Sequence, residues 1–283
     1  MKTAIVLGAF DGLHSGHRAV IEHALDCYSI AVTFDIPPKC VTSGEMLVLP
    51  DDKVEALKQL GINQVVMQQF ENIKDISPID YLEDLNNKYN PTRIVCGFNY
   101  RFGKGATGDT KLLEKFCLDR GIEFVCVPAV LQDGEIVSST AIRNLIREGK
   151  IEKATAQMYG GFGFTGEVLH GDKRGRTIGF PTVNQAFPST LVKPKLGVYI
   201  SRITVNAHEY DAITNVGIRP TYQTEDVVCE SYIKNFKGEI YGTKVKLQLL
   251  HFVRAEKKFS SIDELKNAIL NDVKLLDSWE VMR

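Results

Sequence analysis

Several things are scarce in this sequence. No apolar run approaches the roughly 20 residues that span a bilayer, which argues against a helical membrane protein. The six cysteines (Cys27, Cys40, Cys96, Cys117, Cys126 and Cys229) form no C-x-x-C pair. They read as small buried hydrophobes in a reducing compartment, neither a disulfide framework nor a zinc site. There is a single Trp, and the formal net charge over 283 residues is only −1, so no global basic field draws the chain to nucleic acid or to an anionic membrane. Met1-Lys2-Thr3-Ala4-Ile5-Val6-Leu7 runs straight into Gly8 and Asp11, without the apolar stretch and cleavage site of a secretory signal. Internal repeats and low-complexity tracts are lacking too. With 44% apolar and 24% charged residues, the expectation is a cytoplasmic globular protein of two domains, roughly 100–180 residues each.

What is present follows two patterns. Residues 1–150 alternate short apolar runs (4–7, 30–34, 64–67, 93–96 and 124–127) with amphipathic stretches (16–27, 52–60, 78–88, 109–119 and 140–148). The runs suit buried parallel strands. Ser77 followed by Pro78 gives one helix an N-cap and a first-turn proline. This rhythm predicts a doubly wound α/β sheet whose ligands gather at the carboxyl ends of its strands. Past residue 160 come short β-branched and aromatic stretches, 162–170, 197–205, 209–216, 227–234 and 243–252, punctuated by Gly, Pro and Asn. These predict a small antiparallel barrel. Helical spacing returns from Ser260 to Leu276, with Ile262, Leu265, Ile269, Val273 and Leu276 on one face. The fold class is thus α/β followed by β, with a boundary near Met158–Gly163 and domains expected at 1–158 and 159–283.

Four segments carry chemistry. The first run ends in Gly8-Ala9-Phe10-Asp11-Gly12-Leu13-His14-Ser15-Gly16-His17. Glycines let the backbone approach a ligand, a helix start offers unpaired N–H groups, and both imidazoles can donate to phosphoryl oxygens. Gly8, Phe10, Asp11, Gly16 and the two histidines are therefore expected around phosphates; the plainer reading is a glycine turn with two half-exposed histidines. Val137-Ser138-Ser139-Thr140-Ala141-Ile142-Arg143 sets three hydroxyls ahead of an Arg one helical turn on. That can clamp phosphates, although alone it is an ordinary N-cap. Gly97-Phe98-Asn99-Tyr100-Arg101-Phe102-Gly103 and its continuation to Asp109 suit either a ligand-contacting loop or a plain surface loop. In the second half, Gly171-Asp172-Lys173-Arg174-Gly175-Arg176-Thr177-Ile178-Gly179 can fold over polyphosphate. It leads into Pro181-Thr182-Val183-Asn184, where Thr182 and Asn184 share a strand face and offer oxygen donors to Mg²⁺.

H-x-G-H together with S-S-T-x-I-R resembles the nucleotidylyltransferase superfamily in the form of bacterial FAD synthetases. From about residue 160 onward the chain resembles the riboflavin kinase module, through P-T-x-N, Asn215-Val216-Gly217-Ile218-Arg219-Pro220-Thr221, Cys229-Glu230-Ser231-Tyr232, Ile240-Tyr241-Gly242 and Arg254-Ala255-Glu256-Lys257-Lys258-Phe259. Both modules stand in family order over nearly the whole chain, which is thus similar to the bifunctional riboflavin kinase/FAD synthetases. The resemblance implies a Rossmann-like nucleotidylyltransferase domain, then a six-stranded barrel with a C-terminal helix. It implies Mg²⁺, ATP as co-substrate, and riboflavin and FMN as small-molecule substrates. Neither nucleic acid nor a membrane is expected as partner, and nothing sets an oligomeric state.

The resemblance also implies roles for particular residues. Glu230 is the kinase's catalytic base, a carboxylate accepting the proton of a primary hydroxyl as it attacks the γ-phosphate. Gly171, Lys173, Arg176 and Gly179 hold ATP, Thr182 and Asn184 the metal, and Arg254 and Phe259 border the flavin. In the first domain His14, His17 and Arg143 act in catalysis, Ser138, Ser139 and Thr140 grip phosphates, and Asn99 and Arg101 lie beside the flavin nucleotide. One departure stands out. The family's T-F-[DE]-P-H-P run is Thr33-Phe34-Asp35-Ile36-Pro37-Pro38 here, with proline in place of histidine. That leaves open the loss of one activity, the adenylyltransferase being the more exposed, or descent to a flavin-binding regulator. Adenylylation of another small phosphate, a pantetheine or nicotinate derivative, is a further rival.

Overall fold

The structure is a computed structural model and describes residues 2–171, 179–220 and 225–281. The chain divides into two compact units, Met1–Ile142 with Gln157–Gly160, and Arg143–Ala156 with Gly161–Arg283.

In the first unit the five expected apolar runs are strands: β1 (Thr3–Leu7), β2 (Tyr28–Phe34), β3 (Gln64–Gln68), β4 (Arg93–Gly97) and β5 (Glu123–Val127). They pair in parallel in the order β3-β2-β1-β4-β5. Side chains alternate across β1. Ala4 and Val6 pack with Val20 and Ile21 of α1 (Ser15–Glu22) and Leu57 of α3 (Pro50–Gln59). Ile5 and Leu7 pack with Leu82 and Leu85 of α5 (Pro78–Tyr89) and Leu113 and Phe116 of α6 (Thr110–Arg120). Each fully buried aliphatic side chain contributes roughly 1.5–3 kcal/mol. Ser77 caps α5 as its sequence promised, its Oγ accepting from the Asp80 amide at 3.1 Å.

Two short helices, α2 (Pro38–Ser43) and α4 (Phe70–Ile73), and the hairpin β6 (Leu131–Gln132)–β7 (Glu135–Ile136) fill the connections before α7 (Ser139–Glu148) and α8 (Ile151–Gln157). Because β1 is flanked by β2 on one side and β4 on the other, the crevice at its carboxyl end is the sheet's topological switch point.

The second unit is an antiparallel sheet of six strands in the order β8-β13-β10-β11-β12-β9. These are β8 (Phe162–Glu167), β9 (Thr182–Ala186), β10 (Gly197–Val205), β11 (His208–Pro220), β12 (Glu225–Ile233) and β13 (Lys244–Arg254). Register shifts between Val198/Tyr199 and Ile200/Ser201 on the β10–β13 pair are irregularities of the kind that bend a sheet. The curled sheet nearly closes on itself. The Leu169 amide donates to the Asn184 carbonyl at 2.7 Å, and Gln185 Nε2 donates to the carbonyls of Gly166 and Val245 at 2.9 and 3.1 Å.

Inside, the hydroxyls of Ser201, Thr214 and Ser231 link three neighbouring strands at 2.6 and 2.7 Å. Outside, α9 (Ile262–Val281) seats Leu276 against Val198, Ile200 and Ile213. The apolar face expected to start at Ile262 starts later: Ile262 is 68% exposed, because it opens the helix before the helix meets the sheet.

Candidate active sites

The loop after β1 is tightly wound. Phe10, Gly12 and Leu13 have φ of 47°, 85° and 43°. The left-handed region costs a non-glycine residue of order 1 kcal/mol or more. Phe10 and Leu13 are held there by burial of their side chains in the core. Glycine at position 8 leaves room for the Phe10 ring to fold back, since a Cβ would lie 2.9 Å from it.

His14 precedes α1 and His17 lies in its first turn. Their rings stack at 3.7 Å, and the Phe10 ring meets His17 edge-on at 5.4 Å. Burial lowers the His14 pKa to about 4. It pushes that of His17 well down, helped by the charges of His14 and Lys53. Both imidazoles are thus neutral at pH 7, each with one N–H to donate. Nδ1 of His14, Nδ1 of His17 and Oγ of Ser15 are buried without a hydrogen-bond partner. Three such orphaned atoms at one helix start are what a ligand would satisfy.

The second motif of this unit reaches the same loop. Ser138 Oγ accepts from the Ala141 amide at 3.2 Å, capping α7, while Ser139 Oγ donates to the Asp11 carbonyl at 2.9 Å. Thr140 is exposed, and Arg143 stands one turn further along the same helix. The Asp11 carboxylate is buried. It accepts from the Leu47 amide at 2.8 Å and lies 3.8 Å from the Cys40 thiol, so the loop meets a ligand through its backbone more than through this acid. The proline-bearing departure has a local form: Pro37 and Pro38 open α2, the helix that carries Cys40. Asn99 and Arg101 are exposed in the loop after β4, with Arg101 3.5 Å from Asp109, the N-cap of α6. The β1 and β4 loops therefore sit side by side at the switch point.

The second unit offers a row instead of a loop. Arg254, Val198, Asn215, Glu230 and Asn184 are direct cross-strand partners over five adjacent strands, so their side chains share one face. Thr182 faces the same way, two residues before Asn184. Glu230 is exposed and Asn184 buried. Gly171 lies against the Asn184 amide, where a Cβ would come within 2.0 Å. Thr182, Asn184 and Glu230 offer oxygen donors only, a set that fits a hard divalent cation. Gly179 has φ of 89°, whereas Lys173 and Arg176 lie outside the described residues.

Arg254 forms a two-pronged pair with Asp272 of α9, at 3.0 and 2.8 Å, and lies 5.7 Å from the Phe259 ring centre. Sequence reading missed Asn215 as a member of the row; its amide also donates to Glu256 at 3.3 Å. It missed Lys53 entirely, a fully buried cation on α3.

Comparison with known proteins matches each unit separately. The riboflavin kinase family matches residues 160–279, and the FAD synthetase family residues 1–141. Over the full chain, the bifunctional riboflavin kinase/FMN adenylyltransferase of Listeria monocytogenes is 32% identical, covering 94% of this chain and 88% of the relative. That of Bacillus subtilis is 31% identical over 96% and 90%. A crystal structure described as a macrolide-efflux protein from Streptococcus pneumoniae shares the fold, with a TM-score of 0.87 at 27% identity over 97% of this chain and 93% of the other. Among the described residues here, no helix is long and apolar enough to cross a membrane.

Proposed function

The chain belongs to the bifunctional riboflavin kinase/FMN adenylyltransferase family, and from that premise we propose how its two units divide the work. The chain phosphorylates riboflavin to FMN and adenylylates FMN to FAD, with ATP as co-substrate of both reactions. We assign adenylylation to residues 1–158 and phosphorylation to 159–283, in the cytoplasm.

The observation that carries the first assignment is the hydrogen bond from Ser139 Oγ to the Asp11 carbonyl. It joins two motifs 128 residues apart in sequence at the switch point of one sheet. ATP phosphates lie over the start of α1 and the start of α7. His14 and His17 donate from neutral rings, and Ser138, Ser139, Thr140 and Arg143 grip the phosphates. The FMN phosphate, steered by Asn99 and Arg101, attacks the α-phosphate in line and pyrophosphate leaves. No covalent intermediate is needed, so positioning and charge neutralisation do the work.

In the second unit riboflavin lies along the cross-strand row. Its ring system is toward Arg254 and Phe259, and its 5′-hydroxyl is at Glu230. Those two ends are three strand spacings apart, roughly 14 Å of sheet. Glu230 accepts the hydroxyl proton as the oxygen attacks the γ-phosphate, releasing ADP. Gly171, Lys173, Arg176 and Gly179 contact the nucleotide, as the family resemblance implies. Thr182 and Asn184 would hold Mg²⁺, which neutralises phosphate charge when bound.

Chromatography of products with Mg²⁺ and ATP, started separately from riboflavin and from FMN, tests the division. FAD from both starts is expected. FMN from riboflavin with nothing from FMN would remove the first assignment; FAD from FMN alone would remove the second.

A further inference from the structure

Lys53 is an unusual residue to find at 0% exposure, since burying an ammonium is costly unless something offsets it. It donates to two main-chain carbonyls, Phe34 O at 2.6 Å and Ala9 O at 3.4 Å. One closes β2 and the other opens the loop after β1. The Ala9 carbonyl also accepts from Thr33 Oγ1 at 2.9 Å. The Ala9–Phe10 peptide is therefore gripped from below, next to the residue whose φ is 47° and whose ring meets His17. Burial lowers the Lys53 pKa to about 8, opposed by the Asp11 carboxylate of the β1 loop, the Cys40 thiol on α2 and Asp35 after β2. The charges acting on His17 are those of His14 and Lys53 itself.

Resting on the assignment of adenylylation to the first unit, we propose that Lys53 is a positioning residue for adenylyl transfer. It fixes the Ala9–Phe10 peptide that sets His17, and it places a buried positive charge beneath the phosphates. Neither the H-x-G-H pattern nor the S-S-T pattern contains it. As negative charge builds on the departing pyrophosphate, a cation already in place needs no reorganisation. The same charge disfavours a proton on His17, keeping that ring a neutral donor.

The test uses the full chain with Lys53→Met, which keeps the stem and removes the charge, and Lys53→Arg, which keeps the charge. FAD formation from FMN is followed for kcat, KM and pH profile. Hydrogen exchange of residues 2–142 reports folding of the first unit in each variant, and riboflavin phosphorylation by the other unit normalises the amount of intact chain. Lys53→Met is expected to lose about 100-fold in kcat with FMN KM nearly unchanged. Its acid limb should move to higher pH as His17 gains proton affinity, and Lys53→Arg should keep the wild-type limb.

FAD formation by Lys53→Met within about threefold of wild type would overturn the proposal. So would a lost rate in both variants with the acid limb unmoved, which would make Lys53 a structural tether alone. Wild-type protein that makes FMN but no FAD would instead remove the functional assignment on which the proposal rests.

Discussion

In the first unit the site is packed inward: His14 is 7% exposed, Lys53 of α3 is fully buried, and the β1 loop that leads to His14 is wound through left-handed residues. In the second unit the site lies along a cross-strand row that is only partly uncovered: Glu230 is exposed, Asn184 and Val198 are buried, and the members arrive by strand register. On the proposed mechanism, adenylyl transfer asks mainly for phosphates held in line, a task that suits a buried, tightly wound loop. Phosphorylating a hydroxyl asks in addition for a carboxylate that the incoming substrate can reach, and Glu230 is exposed. One chain thus sets one candidate site in a buried loop and another around an exposed carboxylate.

The largest effect should come from Glu230→Gln, which removes the base. Riboflavin phosphorylation is expected to fall about 10²–10⁴-fold, with FAD formation from FMN unchanged in the same sample. A parallel loss of both would break the separation of units. Next, His17→Ala should cost about 10²–10³ in FAD formation from FMN and leave phosphorylation intact.

The third expectation concerns acid. His14 has a folded-state pKa of about 4 against an ordinary 6.5, so between those values the unfolded chain binds the extra proton. Stability of the first unit is therefore fully present above pH 6.5 and declines as pH falls toward 4, by about 3 kcal/mol. Hydrogen exchange of residues 2–142 at pH 7 and 4.5 reads this directly, and His14→Gln should reduce the difference, leaving the share that comes from His17. The smallest effect is that of Gly171→Ala. A Cβ within 2.0 Å of the Asn184 amide must displace that side chain, raising the ATP KM of phosphorylation about tenfold without touching FAD formation from FMN.

Much of this was legible in the residues alone. Continuous apolar runs gave the parallel strands because both faces of the sheet are covered, and Ser77-Pro78 announced its helix because a cap is a local device. The nearness of Ser139 to the β1 loop was implied by the family resemblance, which reads the two motifs together; residue spacing alone offered only a helix cap. Lys53 was not legible. It follows Asp51 and Asp52 at a helix start, where a lysine looks like part of a solvated face, and depth is not written in a one-dimensional pattern. Asn215 was hidden for another reason: its place beside Glu230 is set by register across the β11–β12 pair, which spacing along one strand does not reveal. Arg254, expected at the flavin, also grips Asp272, an anchor between sheet and helix 18 residues away in sequence that spacing along the chain did not announce.

The Leu169–Asn184 bridge ties the two ends of the strand order together. Asn184 is at once a partner of the chain after β8 and the cross-strand neighbour of Glu230. A disturbance at either edge of the sheet, β8 or β9, therefore has a short route to the carboxylate through one residue.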